Sequence, residues 1–220
     1  MSLYATNDRS PLTIGADFHY IDWMQGSSGS KHIHLHEQSK GRYGCIGIWE
    51  GKQKREIECT TQAPGGEVSI VVLLIARPHS ETQLFVNADL LHDHTTVHIH
   101  LLSFLMDEGS AQIDGNIFIA PQTHGCAWRL LEENIILGEK THLNTIPKLN
   151  IHTSQVSASH GATIQRLNRN HLFYLTAKGI SLPIAQQMII MGHLENLLQG
   201  NGVFSERELI IKQCLPYLHI

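Results

Sequence analysis

The 220-residue sequence predicts a mainly β fold that ends in a small α-helical module, and three observations carry that reading. From about Pro11 to about Leu167, short runs rich in β-branched residues are separated by Gly, Asn, Asp or Ser, the punctuation of strands and tight turns. From Asn168 onward, apolar residues recur at helical spacing between recognisable caps. Hydrophobic residues make up 42% of the chain and charged residues 16%, enough apolar material for a real core and too little charge for disorder.

The strand runs in order are Thr13-Ile14, Phe18 to Trp23, Ile46 to Trp49, Val68 to Ile75, Gln83 to Val86, Val97 to Leu101, Ile117 to Ala120, Asn134 to Leu137 and Leu149 to Ile151. The runs around Ile119, Ile136 and Ile151 recur every ~15–17 residues, a spacing that suits stacked coils. Sandwich strands produce a similar pattern, so periodicity establishes all-β and leaves the architecture open. In the second part, Asn168 caps a short helix carrying Leu172, Phe173 and Leu175, and Gly179 ends it. Ser181 opens a second helix with Pro183 in its first turn. Ile184, Met188, Met191, Leu194 and Leu198 form its apolar stripe, which packs on the β domain or docks another subunit. Gly200 and Gly202 break that helix, and the Ser205-Glu206-Arg207-Glu208 capping box starts a third, stopped near Pro216. The division is therefore a β core over 1–167 and a helical module over 168–220.

Composition narrows the function classes. A formal charge of -4 leaves no surplus cation to neutralise phosphates, so nucleic-acid binding is not expected as a main role. The longest apolar stretch, Ile70 to Ala76, is too short to span a bilayer, and no secretory leader is read at the N-terminus. Cys45, Cys59, Cys126 and Cys214 are scattered with no C-x-x-C pair, which argues for a reducing, cytoplasmic setting. No G-x-x-x-x-G-K-[ST], G-x-S-x-G or H-E-x-x-H sequence occurs, so the chain is not expected to be an enzyme in its own right.

Histidine is unusually frequent, at 16 residues. His32, His34 and His36 alternate along a strand, facing one side about 7 Å apart. His92, His94, His98 and His100, with Asp93, repeat the pattern. Either set could hold a transition metal, though such alternation more often marks a solvated polar face. Cys126, in His124-Gly125-Cys126, is a thiol beside an imidazole or a buried core thiol.

The stretch from Pro147 through Ser159-His160-Gly161-Ala162-Thr163 resembles the last coils of the SufB/SufD family of iron–sulfur cluster assembly proteins. Leu172-Phe173-Tyr174-Leu175 followed by Gly179-Ile180 resembles the helix that follows those coils, and Asn134-Ile135-Ile136-Leu137 is similar to a run that precedes them. The strong resemblance covers about 85 residues and a weaker one about 50 more. It implies a right-handed parallel β-helix capped by C-terminal helices. It also implies a complex with a SufC-type ATPase and with a SufB-type or identical chain. His160 is then a candidate iron or cluster ligand for a transient iron–sulfur cluster, an imidazole being a suitable ligand for ferrous iron. His92, His94 and Cys126 are weaker candidates. Docking is placed on Phe173, Tyr174, Ile184, Met188, Met191 and Leu194. One departure is that Ala158 stands where many SufD sequences carry a cysteine, so the chain looks SufD-like and not the sulfur-accepting subunit. Family members are usually about twice this long, and residues 1–10 are expected to cap the N-terminal coils unless a partner does. Three functional readings remain: a SufD-like assembly subunit, a structural or regulatory paralogue without a cluster, and a stand-alone histidine-rich metal-binding protein.

Overall fold

The structure, a computed structural model, describes residues 12–14, 18–25, 28–200 and 207–218. Thirteen strands precede three helices among these residues. The strands are β1 (Leu12–Ile14), β2 (Phe18–Gln25), β3 (Gly29–Leu35), β4 (Lys40–Trp49), β5 (Lys52–Thr61), β6 (Glu67–Ala76), β7 (Glu81–Leu90), β8 (Thr96–Leu105), β9 (Ser110–Ile119), β10 (Cys126–Ile136), β11 (His142–Thr145), β12 (Lys148–Ile151) and β13 (Val156–Arg166). The helices are α1 (Arg169–Ala177), α2 (Leu182–Gly200) and α3 (Arg207–Cys214), the last running into a 3-10 turn, Leu215–Tyr217.

Every pairing is parallel. Up to β10 the chain alternates between two sheets, so each strand pairs with the one two places earlier. One sheet runs β1-β3-β5-β7-β9-β11, with β12 also on β9, and the other runs β13-β10-β8-β6-β4-β2. This is a parallel β-helix. Lys52 lies opposite Glu81 and Glu81 opposite Ser110, an advance of 29 residues per coil. The spacing read around Ile119, Ile136 and Ile151 is therefore half a coil, since these residues close β9, β10 and β12 in alternate sheets.

Composition explains which sheet faces what. Strands β5 and β7 alternate buried and exposed, because their outer face meets water. Strands β4, β6 and β8 become continuously buried over their second halves, as in Ile70 to Ala76, because helices cover that outer face. Two apolar clusters result. The lumen holds Ile33, Leu35, Tyr43, Trp49, Ile57, Val86, Ile99, Ile113 and Leu130. The second cluster joins Ile46, Val71, Leu73, Leu102 and Phe104 of the sheet to Ile190, Leu194, Leu197, Leu198, Ile210 and Cys214 of the helices.

Near its N-terminal end the interior is polar. Arg55, 2% exposed, donates from Nη2 to Asp22 Oδ2 at 2.6 Å, and the Tyr43 hydroxyl donates to the same oxygen at 3.1 Å. Lys31 is fully buried, with Nζ 5.0 Å from the centroid of the Tyr20 ring.

The helical module follows its local signals. Asn168 accepts from the amides of Asn170 and His171, and Gly179 takes φ +87 after Lys178, the left-handed turn that glycine tolerates best. The Ala185 amide donates to the Ser181 carbonyl as α2 begins. Ser205 and Glu206 of the capping box read before the third helix, and the cap expected of residues 1–10, lie outside the described residues.

Candidate functional site

The C-terminal end of the β-helix gathers the polar groups that matter. Strand β13 lies at the end of its sheet and pairs only with β10 among the described strands. Its side chains are exposed or half-buried throughout, which leaves a ladder edge facing outward. His160 sits opposite Leu130, whose side chain belongs to the lumen core, so in a parallel pair His160 is on the lumen-facing side of an exposed strand. Ala158, two residues earlier, shares that side.

Two positions beyond Leu130, Glu132 also points inward and is fully buried. Its Oε2 accepts a 2.5 Å hydrogen bond from the Thr145 hydroxyl. Its Oε1 is buried without a completed hydrogen bond. That oxygen lies over Gly115, where an added Cβ would meet it at 2.7 Å and Leu130 Cδ2 at the same distance, so only glycine fits beneath the carboxylate. Burial pushes the Glu132 carboxyl above its ordinary range. The Thr145 hydroxyl and the Gly115 amide pull it back, Asp114 pushes it up, and the nearby His160 pulls it down. Asp114 is 4% exposed; Gln112 donates to its Oδ2 at 2.9 Å, and its Oδ1 has no partner.

The ladder above Glu132 is interrupted. Strand β11 ends with Thr145 opposite Ile113, and β12 begins with Lys148 opposite Asn116. Asp114 and Gly115 therefore face the Ile146-Pro147 step, where no strand pairing is made; Ile146 is 49% exposed.

The weaker metal candidates do not join this site. His92 and His94 lie in the turn between β7 and β8, not on a strand, so the alternation read from sequence holds only for His98 and His100. His92 Nδ1 is 3.0 Å from the Thr61 carbonyl oxygen, and His94 has φ +56. Cys126 is buried at the start of β10, its Sγ donating to the His92 carbonyl at 3.3 Å, which is the behaviour of a core thiol. Burial pushes Cys45, Cys59 and Cys214 up to about 12, far from thiolate chemistry. His32 Nδ1 lies 2.6 Å from Glu58 Oε2, and His34 Nδ1 3.3 Å from Gln62, both on an outer face. Among the described residues no three His, Cys, Asp or Glu side chains are placed to hold a metal together.

The helical module offers an apolar surface of its own. Phe173, Tyr174, Ile184 and Met188 are exposed, with Phe173 at 75%. A groove of about 290 Å³ between α1 and α2 is lined by His171, Tyr174, Leu175, Met188 and Ile189. Met191 is half-buried. Leu194 is fully buried in the helix–sheet cluster, so it is an anchor of the module and not a docking residue. The sequence stripe mixed two faces: α2 buries Ala185, Ile190, Leu194, Leu197 and Leu198, while Ile184 and Met188 point outward. A polar tie sits at the same junction. His100 Nε2 is 2.7 Å from Glu133 Oε1, and His193 Nδ1 of α2 is 4.0 Å from Glu133 Oε2.

Fold and site together define a parallel β-helix protein with a docked helical module and a polar cluster near the C-terminal end of its lumen. The sequence model of the SufBD core domain of the SUF system of FeS cluster assembly matches residues 19–193, and the chain belongs to that family. It is 32% identical over 117 residues to the iron–sulfur cluster assembly protein SufD of Escherichia coli, covering 52% of this chain and 28% of that protein. It is 26% identical over 195 residues to the SufBD family protein slr0076 of Synechocystis, covering 85% and 43%. It is 25% identical over 192 residues to the chloroplastic protein ABCI7 of Arabidopsis thaliana, covering 83% and 39%. The chain thus spans less than half the length of these curated relatives.

Proposed function

We propose that this chain is a SufD-like, non-enzymatic subunit of a cytoplasmic iron–sulfur assembly scaffold. It pairs through β13 with a SufB-type or identical chain and docks a SufC-type ATPase on its helical module. The observation that carries the reading is His160, held on the lumen side of an exposed edge strand at the end of the β-helix. An edge strand has unpaired backbone donors and acceptors, and a second β-helix end satisfies them by strand addition. Such pairing brings His160 to a two-chain boundary, where a transient cluster or iron can take ligands from both sides. Support for ATPase docking comes from the Tyr174–Met188 groove, an exposed apolar surface of the helical module.

The test is co-expression with the SufC-type and SufB-type proteins of the same organism, followed by size exclusion and light scattering. A ternary species is expected, with the ATPase lost on Met188→Glu and cluster yield lost on His160→Ala. A chain that ignores both partners refutes the scaffold reading. A complex that forms and whose cluster yield is unchanged by His160→Ala favours the structural paralogue, a reading supported by Ala158 standing where a thiol is expected.

A further inference from the structure

The outer face of the sheet that bears α2 carries a row of basic and hydroxyl side chains. Val97, Ile99 and Leu101 of β8 and Trp128 and Leu130 of β10 belong to the lumen core, so His98, His100, Arg129 and Leu131 point outward. Arg42, Ser69, His98, Arg129 and Ser159 stand opposite one another on β4, β6, β8, β10 and β13. With strands ~4.8 Å apart, this row runs ~19 Å across the sheet. It holds no carboxylate, although the chain as a whole has a formal charge of -4, so its positive character is local. Between the row and the last turn of α2 lies a cleft of about 370 Å³, lined by His98, His100, Arg129, Leu131, Asn196 and Gly200. Among the described residues, the side chains of His98 and Arg129 make no hydrogen bond or ion pair with the protein. Glu133, two places beyond Arg129 on the same face, is held instead by His100 at 2.7 Å, with His193 at 4.0 Å, and leaves Arg129 without a counter-charge.

We infer that this cleft binds a small organic anion bearing a carboxylate or phosphate group, anchored by Arg129 with His98 beside it. A guanidinium presents its donors in a planar fork that matches two oxygens of either group, and an unpaired one on a cleft floor is free to do so. His98 is the neighbour of Arg129 across the strand pair, so both reach the same oxyanion. The carbonyls that end α2 repel negative charge, which assigns the anionic end of the ligand to the sheet side of the cleft. Half-buried Leu131 offers an apolar floor for the rest of the ligand, and the Asn196 amide a polar contact from the wall. The volume lies near the lower end of the ~300–1,000 Å³ usual for ligand sites, so the occupant is compact.

The full chain is titrated by calorimetry with phenyl phosphate, benzoate and inorganic phosphate at low ionic strength. Saturable one-to-one binding of phenyl phosphate or benzoate is expected, tighter than that of inorganic phosphate because Leu131 receives the ring. The tighter of the two aromatic probes assigns the phosphate or the carboxylate class. Arg129→Gln should weaken binding about tenfold or more, and His98→Gln several-fold, as expected for charge-assisted hydrogen bonds. Arg42→Gln removes a cation of the same row outside the cleft and should bind as the parent does. All three side chains are exposed, so the variants are expected to fold, and an unchanged circular dichroism spectrum verifies it. No saturable binding by the parent chain, or unchanged binding by Arg129→Gln, overturns the inference. Equal losses for Arg42→Gln and Arg129→Gln overturn it too, since they mean diffuse attraction to the row, as does inorganic phosphate binding as tightly as either aromatic probe. Co-purification with the ATPase uses the α1–α2 groove and should survive Arg129→Gln, so the assembly-subunit reading stands or falls separately.

Discussion

Replacing Leu194 by Ala separates the two faces of α2, which the sequence alone does not resolve. Leu194 is fully buried, in one cluster with Val71, Leu73, Leu102 and Phe104 of the sheet. Truncation removes the equivalent of about three methylene groups, roughly 2.4 kcal/mol at ~0.8 kcal/mol each. A residual cavity adds to that, so a loss of about 3 kcal/mol is expected, within the usual ~2–5 kcal/mol range for such changes. For a chain of this size that lowers Tm by roughly 6–12 °C. Met188, 48% exposed on the outward face, provides the control: Met188→Glu should leave Tm nearly unchanged and abolish ATPase co-purification. The assay is thermal unfolding followed by circular dichroism and tryptophan fluorescence. Trp23 packs against the helix–sheet cluster, whereas Trp49 and Trp128 lie in the lumen core, so the emission change reports mainly Trp23 if the module loosens first. Equal Tm for Leu194→Ala and the parent chain, or equal losses for the Leu194 and Met188 variants, would refute the assignment of faces.

Two further outcomes follow from ion pairs. The hydrogen bond with His100, and the charges of His100 and His193, hold the Glu133 carboxyl below its ordinary value of 4.5. A depressed carboxylate contributes stability that is present above that value and lost as pH falls through the folded pKa. Acid titration of the parent chain should therefore loosen α2 below about pH 4.5, and Glu133→Gln should be less stable at pH 7 with a flatter acid limb. At the other end, Arg55→Leu strips the guanidinium from the fully buried Asp22 carboxylate and should cost about 3–5 kcal/mol, read as a lowered urea midpoint; a neutral result would show that the pair carries no net stability.

How much was legible in the sequence depended on how local the signal was. The caps at Asn168, Gly179 and Pro183 act within one or two turns, and the helices begin and end close to them. The apolar run Val68 to Ile75 marks a strand buried on both faces from Ile70 onward, whereas Val97 to Leu101 alternates, its His98 exposed and its His100 half-buried. Strand β5, Lys52-Gln-Lys-Arg-Glu-Ile-Glu-Cys-Thr-Thr61, lacks such a run because only alternate residues enter the lumen, and a buried Arg55 further masks its inward side. Pairing across 29 residues leaves no nearest-neighbour trace, so the coil architecture came from the family motif and not from periodicity. Within the candidate site, His160 was legible from Ser159-His160-Gly161-Ala162-Thr163. Glu132 was not, because Glu132-Glu133 reads as an ordinary charged pair. Its parity with Cys126, Trp128 and Leu130 was the available signal, and its burial depends on a coil closing over Gly115.

The edge of β13, unpaired among the described strands, also sets how copies of this chain can assemble. Two C-terminal ends meeting each other form an isologous contact, which uses both edges and closes after two chains. A C-terminal edge meeting the opposite, β2 end of the next copy is a head-to-tail contact with nothing to terminate it, and it grows into a filament. Strand direction and register decide between these outcomes, and so do the charges at each end. A partner that occupies β13 therefore acts as a stopper as well as a co-scaffold. Chain produced in excess of that partner should scatter light increasingly with concentration where the contact is head-to-tail, and level off at the dimer where it is isologous.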